Sequence, residues 1–221
     1  MLLQIHPDNP QERLLQQVID CIKAGGVIIY PTDTVYGLGC DIYNQKAIER
    51  ICKIKEILPK QAQFSFVCSD LSHLSNYSKN VSTPIFRLLK HCLPGPYTFI
   101  LEANKEVPKH LKIKKDTIGI RVPKHTITQQ LISLLGHPIM SMSLPPNEWD
   151  NYETDPEEIW QRFSKVVDLV IDGGIGQQQL STIIDCTEEN PIILREGAGA
   201  IPASIISVSY THLTLPTKRI V

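Results

Sequence analysis

One stretch limits what this chain can become more than any other: Val27 to Gly39, reading Val-Ile-Ile-Tyr-Pro-Thr-Asp-Thr-Val-Tyr-Gly-Leu-Gly. A short apolar, β-prone run stops at Pro31, and hydroxyl and acidic side chains follow at once. A buried strand should therefore deliver a polar loop to one sheet edge. Pro31 pre-sets a turn, Gly37 and Gly39 permit close backbone approach, and Thr32, Asp33, Thr34 and Tyr36 can all hydrogen-bond. Loops of this kind bind ligands, although any one of these residues alone would also suit an ordinary turn.

The rest of the sequence supplies a scaffold for such a loop. The 221 residues are 42% hydrophobic and 20% charged, enough to bury a real core in one domain. We assign residues 1–203 to that domain and set 204–221 apart, because this tail lacks helical stripe, turn chemistry and apolar alternation. An extra edge strand and translated vector sequence are both open readings of it. No apolar run reaches the ~20 residues that span a bilayer, and the N-terminus lacks a signal-peptide pattern, so no membrane association and a cytoplasmic address are expected. Six scattered cysteines without a C-x-x-C pair read as reduced, mostly buried thiols, and seven scattered histidines offer no zinc motif. No dedicated metal site is expected.

Apolar stripes and capping signals place the elements. Asn9-Pro10 reads as the cap of a helix ending at Gly25-Gly26, and Asp155-Pro156-Glu157-Glu158 repeats that arrangement. Helices are also expected near 45–55, after Asp70, after Thr83-Pro84 and over 126–135. Strands are expected at 27–30, 64–68, 97–102, 117–122, 139–143, 169–171, 182–185 and 192–195. Leu144 to Thr154 reads as a loop, with mobility one reading of it. Helices and strands alternate early and strands gather late, so the fold class is α/β: a twisted, mixed parallel and antiparallel sheet flanked by helices.

Polar residues collect at predicted strand ends: Thr34, Lys55, Thr98, Thr117, Arg121, Ser141, Ser143, Ser181 and Arg195. Hydroxyls with a lysine and two arginines suit an anionic ligand better than hydrolysis by an enzyme nucleophile, and no catalytic residue is assigned. Arg121 lies in an apolar strand and needs an anion, which an internal carboxylate or a ligand could supply. With a net charge of −1, attraction to nucleic acid can only be local. Lys112, Lys114 and Lys115 form such a local bias, readable as a solvated basic turn or as an RNA contact.

Five motifs, in order, resemble those of the YrdC/YciO family: Pro31 to Leu38, Pro94-Gly-Pro-x-Thr98, Gly119-x-Arg-x-Pro123, Ser181-Thr-x-x-Asp185 and Ile193-Leu-Arg-x-Gly197. The best-known members are threonylcarbamoyl-adenylate synthases, which join ATP, L-threonine and bicarbonate and release diphosphate during tRNA modification. The resemblance implies a YrdC-like domain with a concave basic cleft. It implies that Thr34, Arg121, Ser141 and Ser181 face threonine, that Lys55, Thr117, Ser143 and Arg195 face the nucleotide, and that Mg2+ accompanies ATP. Double-stranded RNA or tRNA bound in the same cleft, with little or no catalysis, is the alternative it allows. Two departures weaken the synthase pattern. Ile57 stands where the family carries an arginine two residues after Lys55, and Pro145 where it carries an asparagine two residues after Ser143. The chain resembles the YciO branch in these respects, and weak or altered synthase activity is the expectation.

Overall fold

The apolar runs form elements where their periods predict them, and two strands form where no period predicts one. The computed structural model describes residues 1–72, 74–79, 81–105, 107, 116–202 and 205. In chain order its elements are β1 (Leu2–Gln4), α1 (Glu12–Lys23), β2 (Ile28–Tyr30), β3 (Gly37–Asp41), α2 (Gln45–Ile54), a 3₁₀ turn (Pro59–Gln61), β4 (Ser65–Val67) and α3 (Leu74–Tyr77). There follow α4 (Thr83–Cys92), β5 (Tyr97–Glu102), β6 (Thr117–Arg121), α5 (Thr126–Leu135), β7 (Ile139–Ser143), α6 (Pro156–Phe163), β8 (Leu169–Asp172), β9 (Thr182–Asp185) and β10 (Ile192–Arg195).

The strands form one sheet in the order β1-β8-β2-β3-β7-β4-β6-β5-β9-β10. Pairings β1/β8, β2/β8, β4/β6 and β5/β9 are parallel, and the other five are antiparallel, which gives the expected mixed sheet. Gly37 and Gly39 are not loop glycines. They lie in β3, which returns antiparallel to β2 with Tyr30 opposite Gly37. A Cβ on Gly37 would come 3.0 Å from the Tyr30 ring and one on Gly39 2.9 Å, so the missing side chains make room for that ring across the hairpin.

Helix ends follow local chemistry, with one correction. Asp155 caps α6 by accepting the Glu157 N–H at 2.9 Å, behind Pro156 in the first turn. Asn9 does not cap α1, which begins at Glu12 after Gln11. His6 Nδ1 instead accepts the N–H groups of Asp8 and Asn9, each at 3.2 Å, and the turn this closes keeps Asn9 and Pro10 ahead of the helix. At the end of α2, Glu56 adopts φ 54°, its N–H reaches Lys53 O, and the Ile57 N–H reaches Cys52 O at 3.0 Å. This is a Schellman motif. Its apolar partner position is filled by Ile57, half-buried against the core, so that side chain has a structural use.

The two faces of the sheet are covered unequally. One face packs Leu38, Phe66, Phe99, Ile118, Ile120, Met140 and Ile184 beneath α2, α3, α4 and α6. On the other, α1 and α5 bury Tyr30, Val67, Ile139, Leu169 and Ile171; among the described residues this cluster takes nothing from β5, β6 or β9. Among the described residues half of that second face is left uncovered, and Ser65, Thr98, Arg121, Ser141 and Arg195 collect there. Five of the six cysteines are buried and all are free thiols. No helix among the described residues is long and apolar enough to cross a membrane.

Candidate functional site

Strand alternation and register build the floor of the uncovered half-face. One row crosses six strands as Gly39, Ser141, Ser65, Gly119, Ile100 and Asp185, each opposite the next. Four of these six residues are glycine or serine, so the row leaves a trough. Its hollow encloses about 210 Å³ and is lined by Thr34, Ser65, Thr98, Gly119, Arg121, Ser141, Ser143, Ser181 and Arg195, with Val35, Ile100, Met142 and Ile183 among its apolar neighbours. Thr34, Arg121, Ser141, Ser143, Ser181 and Arg195, six of the eight residues implied for threonine and nucleotide, therefore share one cavity.

The next row carries the charge. It runs from Val67 through Arg121, Thr98 and Ile183 to Arg195. Three strand spacings separate the two arginine backbones, about 14 Å; Arg195 reaches back to Ser181, whereas Arg121 reaches away from it to Thr32, Asp33 and Thr34.

Arg121 finds an internal partner. Its Nη2 donates to Asp33 Oδ1 at 2.8 Å, to Thr34 Oγ1 at 2.7 Å and to Thr32 Oγ1 at 3.3 Å. Both members of the Arg121–Asp33 pair are nearly buried, with side chains 12% and 11% exposed. The other Asp33 oxygen accepts the Lys124 N–H at 2.9 Å. Of the readings open for Arg121, the internal carboxylate is realised. Yet its Nε is buried with no partner among the described residues, and an orphaned donor marks a guanidinium held at a cost to stability.

Arg195 reaches the cavity through a local irregularity. Ile192 and Ile193 pair with Asp185 and Ile184, but Arg195 pairs with Ile183, so the register slips by one residue at Leu194. Without that bulge Arg195 would face Thr182, on the buried side of β9; with it, the guanidinium turns onto the open face. There Nε and Nη2 donate to Ser181 O at 3.0 and 2.9 Å, and Nη2 also reaches Ser181 Oγ at 3.2 Å. Ser181 Oγ in turn shares a 2.9 Å bond with Thr98 Oγ1. Among the described residues Arg195 has no ion-pair partner. Its pKa is lowered by burial first; nearby Tyr152 opposes the shift, and the like charge of Arg121 adds to it.

Lys55 and Thr117 are placed differently. Lys55 Nζ donates to Leu144 O at 3.2 Å, beside the cavity rather than in its lining, and burial lowers its pKa. Thr117 shares a face with Gly119 and Arg121 but pairs with Glu102, beyond the end of the hollow. Lys112, Lys114 and Lys115 lie outside the described residues.

Two contributors escaped the sequence reading. Ser65 sits in the floor row, signalled only by its polarity between Phe64 and Phe66. Tyr152 faces Ser143 and Arg195 from the segment after β7, with no local signal at all. That segment is fastened. Arg162 of α6 donates to Pro145 O at 3.3 Å and Pro146 O at 2.7 Å and pairs with Glu153 at 2.5 Å, while Asn147 Oδ1 accepts from Trp149 and Asn151 N–H groups at 3.0 Å. Pro145 thus contributes a backbone acceptor to a strap.

Tyr30 bounds the row on this same face, its ring over Gly37 and Gly39, its hydroxyl 2.5 Å from Ser141 Oγ and its pKa pushed up to about 12 by burial. Among the described residues no carboxylate lines the hollow, and none form a cluster of three or more metal-ligating side chains. The oxygen atoms that the lining offers are hydroxyl, side-chain amide and backbone carbonyl groups. The chemistry on offer is hydrogen bonding to neutral and anionic oxygen, with guanidinium charge at two points.

Comparison with known proteins places this arrangement. The family model Sua5_yciO_yrdC, described as telomere recombination, matches residues 20–197. YciO of Escherichia coli K12 is 50% identical over 200 residues, covering 89% of this chain and 95% of its own. Its crystal structure superposes with a TM-score of 0.85 at 48% identity, over 90% of this chain and 97% of that one. P. abyssi Sua5, crystallised in complex with L-threonine, gives a TM-score of 0.83 at 27% identity, over 94% of this chain and 60% of the Sua5 chain.

Proposed function

This chain belongs to the Sua5/YciO/YrdC family, and from that premise we propose that its cleft binds L-threonine and an adenylate, forming the threonylcarbamoyl-adenylate bond with weak or altered activity. The observation that carries the reading is the pair Arg121 and Arg195, set about three strand spacings apart on one row over a floor of small residues and hydroxyls. Such a trough suits a ligand with anionic groups at two separated points. A likeness to the threonine-bound Sua5 structure supports threonine as the amino acid.

Under this reading Thr34, Ser141 and Arg121 hold the threonine end and Ser143 and Arg195 the phosphate end; Ser181, implied for threonine by the resemblance, is bonded to Arg195 and is assigned here to the phosphate end. Threonine and bicarbonate condense to a carbamate with loss of water. A carbamate oxygen then attacks the α-phosphorus of ATP, and the bond from that phosphorus to the bridging oxygen breaks as diphosphate leaves. The side chains present supply orientation and charge, not a nucleophile. Mg2+, where it takes part, travels on the phosphates.

RNA as the occupant has local charge against it: residues 147–158, shortly after Ser143 in the chain, hold Glu148, Asp150, Glu153, Asp155, Glu157 and Glu158 with no lysine or arginine, and Asp150 lies near Tyr152 beside Arg195. The test is calorimetric titration with L-threonine together with diphosphate release measured with and without threonine and bicarbonate. Saturable threonine binding and release that needs both co-substrates are expected. Absence of both would refute the reading.

A further inference from the structure

We infer that Ser65 is a specificity residue of this cleft: its hydroxyl bonds the side-chain hydroxyl of the bound amino acid and so separates a β-hydroxy amino acid from its deoxy analogue. The inference rests on the threonine reading above and adds to it the group that reads the side chain.

Ser65 stands in β4 between Ser141 of β7 and Gly119 of β6, half-buried in the floor row and part of the lining of the hollow. The other side-chain hydroxyls of that lining are engaged by the protein itself: Thr34 with Arg121, Thr98 with Ser181, Ser141 with Tyr30, Ser143 with Tyr152, and Ser181 with Arg195. Among the described residues Ser65 Oγ has no partner, and it is not sealed from the hollow. It is the floor hydroxyl left over for a ligand.

Space is reserved for this hydroxyl. A Cβ on Gly119 would come 2.9 Å from Ser65 Oγ, closer than side chains tolerate, so glycine at that position leaves the hydroxyl its place in the floor. The carboxylate of an amino acid calls for a guanidinium, which Arg121 supplies at this end of the cleft. The neutral polar group of threonine is its side-chain hydroxyl, and a serine that can both donate and accept matches it without burying a charge. A ligand lacking that hydroxyl would leave Ser65 unpaired inside the occupied cleft, which is how a hydroxyl-reading site rejects a deoxy analogue.

The experiment is calorimetric titration of the full chain, parent and Ser65→Ala, with L-threonine and with L-2-aminobutyrate, which is threonine without its hydroxyl. The parent should bind threonine roughly fivefold or more tightly than aminobutyrate, the worth of one neutral hydrogen bond. Ser65→Ala should lose that margin through weaker threonine binding, while its affinity for aminobutyrate stays within about twofold of the parent's. A Ser65→Ala protein that keeps the parent's ratio overturns the inference. One that weakens equally for both ligands overturns it too, because Ser65 would then be a packing residue. Saturable threonine binding by the parent with no margin over aminobutyrate sinks this inference alone, whereas a parent that binds neither amino acid sinks the threonine reading with it.

Discussion

Ile57→Arg puts back a cation beside Lys55 and removes the apolar foot of the Schellman motif that ends α2. Full burial of an isoleucine is worth about 1.5–3 kcal/mol, and Ile57 is half-buried, so roughly 1 kcal/mol of packing is at stake. An arginine stem can lie along part of the same apolar surface, which recovers some of that. For a domain of this size about 1 kcal/mol corresponds to a fall in melting temperature of roughly 2–4 °C. The guanidinium, swung outward next to the Lys55–Leu144 contact, would stand near Ser143 and the phosphate end. A charge-assisted hydrogen bond there is worth about 1.5–3 kcal/mol, so the affinity for ATP relative to adenosine 5′-methyl phosphate should rise by roughly tenfold or more. Differential scanning calorimetry and competition titration on the same preparation read both numbers. A variant that loses stability while the affinity ratio stays unchanged would refute the reasoning, because it would mean that position 57 cannot address the cleft in this chain.

Arg195→Lys keeps the charge but loses the paired donation to Ser181 O, and adenylate affinity should fall roughly tenfold with a small change in melting temperature; equal affinities in titration would remove Arg195 from the site. Deleting Leu194 takes the extra residue out of β10 and leaves Arg195 directly after Ile193, still opposite Ile183 on the open face, so ligand binding should be retained; its loss in titration would contradict the assigned register. His125 has its pKa lowered from 6.5 by burial, with Asp33 and Asp8 opposing. The unfolded chain therefore takes up a proton before the folded one does, so its contribution to stability is complete above pH 6.5 and declines as pH falls below it. Urea unfolding at pH 7.5 and 5 should show a smaller acid-side loss for His125→Gln than for the parent, and identical losses would contradict the assignment.

Much of this protein was legible locally. Amphipathic stripes marked α1, α2 and α5, Asp155-Pro156 marked the start of α6, and the run into Pro31 marked β2 and its polar loop, because period and capping act within a few residues. Gly119-x-Arg121 and Ile193-Leu-Arg195 could be singled out because charge in an apolar strand demands a partner.

Pairing was not legible. β1 and β3 are strands only because β8, β2 and β7 lie beside them, and the glycines of β3 read as loop until the ring of Tyr30 is laid across them. Which anion answers Arg121, and the position of Tyr152 over Ser143, depend on chain segments tens of residues apart. Most decisive is the slip at Leu194: alternation along Ile192 to Arg195 cannot say which face the arginine takes, because a bulge exists only relative to a neighbouring strand. The sequence by itself determined the local elements, the family motifs and the kinds of side chain available. Only the tertiary structure left half of one sheet face uncovered among the described residues and turned two arginines onto it, since burial and register belong to pairs of segments and not to either segment alone.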